Sequence, residues 1–448
     1  METLKTAIDA FFDFKAYVML PLIILIFGLI IRMKISQALI SALKLAAGFA
    51  GIFIAFQFFI DNINPAVQQL VAKRGLDFPV LDIGWPPLAA ITWASPIAHI
   101  SIPVVITINI IMLAANASKT VYIDVWNYWH FALAGALIMG TSSNLLLGLL
   151  ATSLLAVYTI KLSDWTAPEV ERETGLKGIA VSPLSSTGLL PYAAGFNWLI
   201  DKIPGIRDIS YNPHREGKGL NIFGEPMVIG IIVGILLGAV AGYSVKELLE
   251  LAVHIAAVMF ILPKCGGLIG EGMEPVSSRL REAIERRFPQ KTGLNVALDA
   301  NVILEHRSIL TSGLILMPIS IGLALVLPGN RMLPLGGLPA LISQISVITL
   351  ICRGNVFRSV LAGIPLVTGY LLIASRLAPL ITKLSKAVGA DIPVSAEITA
   401  FTDGGNPVRF WVYEMFTGNP AATAVIPVAV LLLVLSHRRY KRILNEEK

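Results

Sequence analysis

Charged residues are scarce. Asp, Glu, Lys and Arg make up 14% of the 448 residues, while 55% are hydrophobic and the mean hydropathy is +0.74. Soluble domains carry about 25% charged residues, so a soluble fold is excluded and the chain reads as an integral membrane protein. Cysteine is scarcer still. Cys265 and Cys352 both sit in apolar or Gly-rich surroundings, so neither a disulfide framework nor Cys/His zinc spacing is present. The six histidines include no pair three or four apart, and no metal site is expected. A G-x-x-x-x-G-K loop is missing too, because Gly217-Lys218 has Asn212 where the first glycine should stand; a self-powered nucleotide pump is excluded. No cleavable-signal pattern is found, since Met1-Glu2-Thr3-Leu4-Lys5 leads into an amphipathic start and a full-length span. The net charge of +6 points to no nucleic acid, because in a membrane chain the placement of charge matters more than its sum. No cofactor is implied.

What is abundant is the apolar run of about 20 residues that crosses a hydrocarbon core as helix. Such runs occupy 16–32, 38–60, 98–115, 124–140, 144–160, 226–243, 247–264, 308–327, 338–352, 355–375 and 421–436. The expected fold is an all-α polytopic membrane protein with about nine to twelve transmembrane helices and re-entrant hairpins. Basic segments set the orientation: Arg32-Met33-Lys34, the 202–218 loop, the charged helix 278–287 and His437-Arg438-Arg439-Tyr440-Lys441-Arg442. They place the C-terminus in the cytoplasm and the N-terminus outside. The stretch 161–180 reads as a charged loop, and 61–77 as a polar connection.

Three apolar stretches are interrupted, at 78–96, 181–200 and 293–305. Proline and glycine break a regular helix, and broken backbone at membrane depth persists only when buried in protein or lining a cavity. Interrupted segments in both halves of a chain point to a transport site.

The densest polar stretch is Asp124-Val125-Trp126-Asn127-Tyr128-Trp129-His130. Residues three apart share a helix face, so Asp124, Asn127 and His130 stack, with Trp126 beside them. Carboxylate, amide, imidazole and indole together suit a ligand with hydroxyls and apolar faces. The blander reading is an interfacial aromatic belt. A second cluster, Asp299, Asn301, Glu305 and His306, forms a short dip in which helix capping competes with ligand binding. Glu225 opens a span, where a carboxylate favours a helix N-terminus. Trp93, Tyr192 and Asp82 lie in broken stretches, whereas Trp165 and Trp198 read as interfacial anchors. Pro263-Lys264-Cys265 follows a span rather than a soluble strand, so Cys265 reads as inert.

Gly84-Trp85-Pro86, Thr92-Trp93-Ala94-Ser95, the 124–130 stretch, Phe223-Gly224-Glu225-Pro226, Arg353-Gly354-Asn355-Val356-Phe357-Arg358 and Asp403-Gly404-Gly405-Asn406-Pro407 occur in an order that resembles a known family. It is the galactitol-type IIC component (permease) of the bacterial phosphoenolpyruvate-dependent sugar phosphotransferase system, in the ascorbate–galactitol superfamily. The resemblance implies a multi-pass inner-membrane permease forming one unit over residues 1–448, with interleaved core and dimerisation subdomains and no fused IIA or IIB domain. It also implies a homodimer, elevator-type movement, a polyol substrate, and phosphorylation by a separate IIB subunit supplied by IIA. No catalytic phosphoryl-accepting residue is expected in the chain itself. By rough alignment Trp93, Asn127, Tyr192 and Asp299 fall near the substrate. The residue-level reading adds Asp124, Trp126, His130, Glu225, Asn301 and His306. Two departures concern the second cluster: Ala300 follows Leu298-Asp299 where the family pattern has proline, and Glu305 stands where it has glycine. The alternative class is an ion-coupled secondary transporter with Asp299, Glu305 and His306 as a proton relay. An intramembrane enzyme lacks a nucleophile or metal constellation.

Overall fold

In the chain's two halves, long apolar helices alternate with short pieces of broken backbone. The computed structural model describes residues 16–75, 77–213, 226–287, 293–389 and 397–446. In chain order the first half runs α1 (Ala16–Ile30), α2 (Ile35–Arg74), β1 (Val80–Asp82), α3 (Trp85–Trp93), α4 (Pro96–Ala114) and β2 (Thr120–Val121). A 3₁₀ turn (Val125–Tyr128), α5 (Trp129–Ser142), α6 (Leu145–Thr174), β3 (Ile179–Val181), α7 (Leu184–Thr187) and α8 (Leu190–Ile200) follow. The second half runs α9 (Pro226–Ala241), α10 (Val245–Arg287), β4 (Asn295–Leu298), a 3₁₀ turn (Ala300–Ile303) and α11 (Arg307–Val326). After it come α12 (Leu341–Gln344), α13 (Ser346–Ile351), α14 (Val356–Ala387), β5 (Glu397–Thr399), α15 (Phe401–Gly404), α16 (Pro407–Phe416), α17 (Pro420–Ala424) and α18 (Ile426–Glu446).

Among the described residues seven helices are long and apolar enough to cross a membrane, and three shorter apolar helices accompany them. The chain is an all-α polytopic membrane protein. Several helices continue beyond their apolar runs. α6 passes straight through the charged stretch expected as a loop and ends at Thr174, where Gly175 adopts φ +77°. Its charges pair instead of breaking the helix: Lys161 lies 3.1 Å from Asp164, and Arg172 contacts both Glu169 and Glu173. The polar connection after α2 and the charged helix 278–287 are likewise continuations, of α2 and α10.

Without a hydrophobic drive between helices in lipid, close packing depends on small residues. Gly135 of α5 and Gly148 of α6 meet backbone to backbone: a Cβ on Gly135 would stand 2.8 Å from the Gly148 carbonyl oxygen, and one on Gly148 2.7 Å from that of Gly135. This approach fixes α5, and with it the polar stretch at its start.

The broken segments are built from strands too short to show in an apolar pattern. β1 pairs with β5, and β4 lies between β2 and β3; every pairing is parallel. Parallel strands need long crossovers, which the membrane helices supply. The register Val80↔Glu397 and Asp82↔Thr399 joins the first broken segment to the last, and Ala180↔Ala297 joins the second to the third. Each strand then turns into a short helix.

Candidate substrate site

The segments that follow all five strands line one cavity. The turn after β1 contributes Trp85; the segment after β2 contributes Trp126, Asn127, Trp129 and His130; that after β3, Pro183, Ser185 and Ser186. Asp299, Ala300 and Asn301 follow β4, and Asp403 follows β5. Ser343 and Gln344 of α12 and Phe49, Ile52 and Phe53 of α2 close the wall. A concave site with a few convergent polar groups suits a small molecule.

Asn127 is the centre of one polar network. Its Nδ2 donates to Asp124 Oδ2 at 2.6 Å and to Asp299 Oδ2 at 2.8 Å. Two carboxylates on one side identify that atom as the nitrogen, since carboxylates only accept. Both amide hydrogens are therefore engaged, and the amide offers the cavity its oxygen. Asp124 also accepts from Ser182 Oγ at 2.5 Å, and Asp299 Oδ1 accepts from the backbone N–H of Asn301 at 2.9 Å. The expected i, i+3 stack of Asp124 and Asn127 is present, formed on a 3₁₀ turn rather than an α-helix. Asp124 stands behind Asn127, outside the cavity lining; it positions the amide.

His130 anchors the second network. It is buried, stacks on Trp129 with ring centroids 4.1 Å apart, and its Nδ1 lies 3.1 Å from Arg409 Nη2. A guanidinium only donates, so Nδ1 accepts, the ring is neutral, and the hydrogen sits on Nε2. The 3.5 Å approach of Asp403 Oδ1 to the same Nδ1 is therefore a contact of an acceptor with an acceptor. Arg409 is 1% exposed. It donates to the carbonyls of His130 (3.2 Å) and Asp403 and lies over the Trp129 ring at 5.9 Å. Asp403 accepts from Thr402 Oγ1 at 3.1 Å and from Gln344 Nε2 at 3.3 Å, while Gln344 Oε1 is a buried acceptor without a partner among the described residues. A buried carbonyl lacking a donor is unfavourable, and a ligand hydroxyl would satisfy it.

The structure brings together Trp126, Asn127, His130, Asp299 and Asn301. Trp93 is buried one layer back, its ring 6.2 Å from that of Trp126. Tyr192 stands apart: its hydroxyl donates to the Ala362 carbonyl at 2.6 Å, tying α8 to α14. His306 is buried at the start of α11 and is absent from the cavity lining, and Glu305 is exposed. Glu225 lies outside the described residues. Asp82 is engaged wholly with backbone, accepting from the N–H groups of Gly84 (3.0 Å), Gly337 (2.7 Å) and Phe401 (2.9 Å). Of the two departures from the family pattern, Ala300 touches the cavity and Glu305 does not.

Sequence reasoning did not assign Asp403, Gln344, Ser185, Ser186 or Arg409 to the site. Gln344 within the apolar run 338–352 carried a usable signal, because a polar side chain inside a membrane segment faces the bundle interior.

A polytopic helical protein whose broken segments close on a buried polar cavity is a solute permease by architecture. Residues 10–395 match the family model of the PTS system sugar-specific permease component, EIIC-GAT, and the chain belongs to that family. It is 31% identical over 438 residues to the "PTS system galactitol-specific EIIC component" of Escherichia coli (strain K12), covering 97% of both chains. The counterpart of that protein in Escherichia coli O157:H7 matches to the same extent. A "Putative permease IIC component" of Escherichia coli (strain K12) is 30% identical over 421 residues, covering 93% of this chain and 96% of the relative. The chain is thus a multi-pass inner-membrane sugar permease of the phosphotransferase system.

Proposed function

We propose that this permease binds galactitol or a closely related polyol in the cavity and presents it to a separate IIB subunit, recharged by IIA, for phosphorylation. The observation that carries the reading is the convergence of Asn127, His130, Asp299, Asp403 and Gln344 beside the Trp126 and Trp129 rings. A neutral polyol is recognised through several directional hydrogen bonds, each contributing about 0.5–1.5 kcal/mol net. The Asn127 oxygen, the Asp299 carboxylate and Gln344 Oε1 accept from its hydroxyls, the His130 Nε2–H donates, and an indole face covers its carbon skeleton. The relative named as galactitol-specific supports the substrate class. Ala300 at the cavity wall is the place where the preferred polyol would diverge.

Movement is of the elevator type, with a core domain carrying the cavity past a static dimerisation domain in a homodimer. The C-terminus is cytoplasmic and the N-terminus external. Phosphorylation traps the product by adding about −1.5 to −2 charges.

Uptake of radiolabelled galactitol into right-side-out vesicles, with and without loaded phosphoenolpyruvate and the soluble partners, tests the reading. Accumulation as the phosphate, insensitive to a protonophore, is expected. Accumulation of unmodified polyol that collapses with the protonophore would overturn it in favour of ion coupling.

A further inference from the structure

A second cavity, of about 620 Å³, is lined by Arg207, Arg353, Arg358, Arg439 and Arg442, and among the described residues Asp201 is the one acidic side chain of its wall. It lies beyond the far end of α13 from the polyol cavity. Gln344, at the end of α12, lines the first cavity, and Arg353, in the turn after α13, lines the second.

The fold fixes the turn that carries Arg353 and the side chain of Arg358. Arg353 takes up φ +56° ahead of Gly354 at φ +70°. Asn212 clamps this turn, donating from Nδ2 to the Arg353 carbonyl at 2.8 Å and accepting from Ser308 Oγ at 3.1 Å. Arg358, in the first turn of α14, is fixed by Asn197 Oδ1 (2.8 Å), Asp201 (2.7 Å) and the Arg207 carbonyl (2.7 Å). The N-terminus of that 32-residue helix adds its own positive end.

Their charge is incompletely balanced. Arg353 has no ion pair among the described residues, and burial with the nearby Arg172 and Arg439 cations pushes it below the ordinary arginine range. Arg439 is paired through Nε with Glu169 at 2.5 Å, but its Nη2 is buried without a hydrogen-bond partner. Guanidinium forks match the tetrahedral oxygens of a phosphate and hold them bidentately.

We propose that this cavity is a binding site for a phosphate monoester dianion, held chiefly by Arg353, Arg439 and Arg442. Assigning its occupant rests on the proposed function: the phosphate belongs either to the phosphorylated polyol leaving the permease or to the phosphorylated side chain of the partner subunit. Both present the same dianion at the end of α13, which follows directly on the α12 wall of the polyol cavity.

The full-length chain in phosphatidylcholine nanodiscs, free of anionic lipid, is titrated with inorganic phosphate, galactitol 1-phosphate and unmodified galactitol. R353Q, R439Q and R442Q are compared with the parent and with K44Q, a half-exposed position outside the cavity wall. R442Q changes an exposed side chain and keeps the test valid if a buried variant fails to fold. Inorganic phosphate binding is expected to weaken at least tenfold in R353Q and R439Q and at least threefold in R442Q, with K44Q and galactitol binding unchanged. Galactitol 1-phosphate binding more tightly than inorganic phosphate assigns the site to the product. Equal affinity assigns it to a phosphoryl group presented by the partner. Failure of the parent chain to bind phosphate, or losses no greater than in K44Q, overturns the inference. Phosphate binding without galactitol binding would leave this site standing and instead sink the polyol reading.

Discussion

Replacing Asn127 with alanine removes both donors that separate Asp124 from Asp299, bonds of 2.6 and 2.8 Å. A hydrogen bond to an ionised group contributes about 1.5–3 kcal/mol net, so two give an upper bound of about 3–6 kcal/mol. Asp124 keeps the Ser182 hydroxyl and Asp299 keeps the Asn301 N–H, which lowers the expected loss to about 2–4 kcal/mol. The same deletion removes the amide oxygen from the cavity, and at 1.4 kcal/mol per factor of ten, galactitol affinity should fall about tenfold. Reversible unfolding by SDS titration measures the first effect and equilibrium binding of labelled galactitol the second. The decisive form is a double-mutant cycle of Asn127→Ala with Asp299→Asn, in which a coupling of about 1.5–3 kcal/mol is expected. Additivity within about 0.5 kcal/mol, together with unchanged polyol affinity, would refute the idea that one amide organises the two carboxylates.

Three further outcomes follow from the same geometry. Because Nδ1 of His130 faces Arg409 and Nε2–H faces the cavity, His130→Gln, which can place an amide N–H near the Nε2 position, should hold galactitol affinity within about threefold, whereas His130→Asn should lose about tenfold, a difference of roughly one lost hydrogen bond; equal losses in isothermal titration would contradict the tautomer. Arg409→Lys should destabilise the protein by about 3–5 kcal/mol, the range for breaking a buried charged network, since one ammonium cannot reach the His130 ring, two carbonyls and the Trp129 face together; wild-type stability in the SDS titration would count against the assignment. Asp82→Asn exchanges an acceptor for a donor opposite backbone N–H groups and should cost about 1–3 kcal/mol, with transport lowered through the amount of folded permease and galactitol affinity of the folded fraction unchanged; a changed affinity would make Asp82 a ligand.

The helices were legible because apolar runs of membrane length have few alternatives, and the polar stretch at 124–130 was legible because such groups in lipid must face something. Helix ends were not: Lys161 to Glu173 reads as a loop by charge alone, and only the pairings along α6 make it helix. The strands were invisible for a different reason. Val80-Leu81-Asp82 or Ile179-Ala180-Val181 is too short to express a period of two, and its partner is a distant segment. Asp299 stood out because it is polar within a dip. Asp403 was read as part of a motif but not as a site residue, since nothing local shows that β5 delivers it opposite His130.

That pairing also bears on how the protein is made. Phe401 donates to Asp82 across 319 positions of sequence, and before β5 leaves the ribosome β1 has only a single parallel bridge, Val80 to Met332. The first broken segment therefore enters the bilayer with unpaired backbone and waits until after α11 for its bridge and until after α14 for its strand. Nascent chains stopped before residue 397 should be recognised as incomplete by membrane quality control, however well their helices have inserted, because an open strand edge in lipid is the one state this architecture cannot hold.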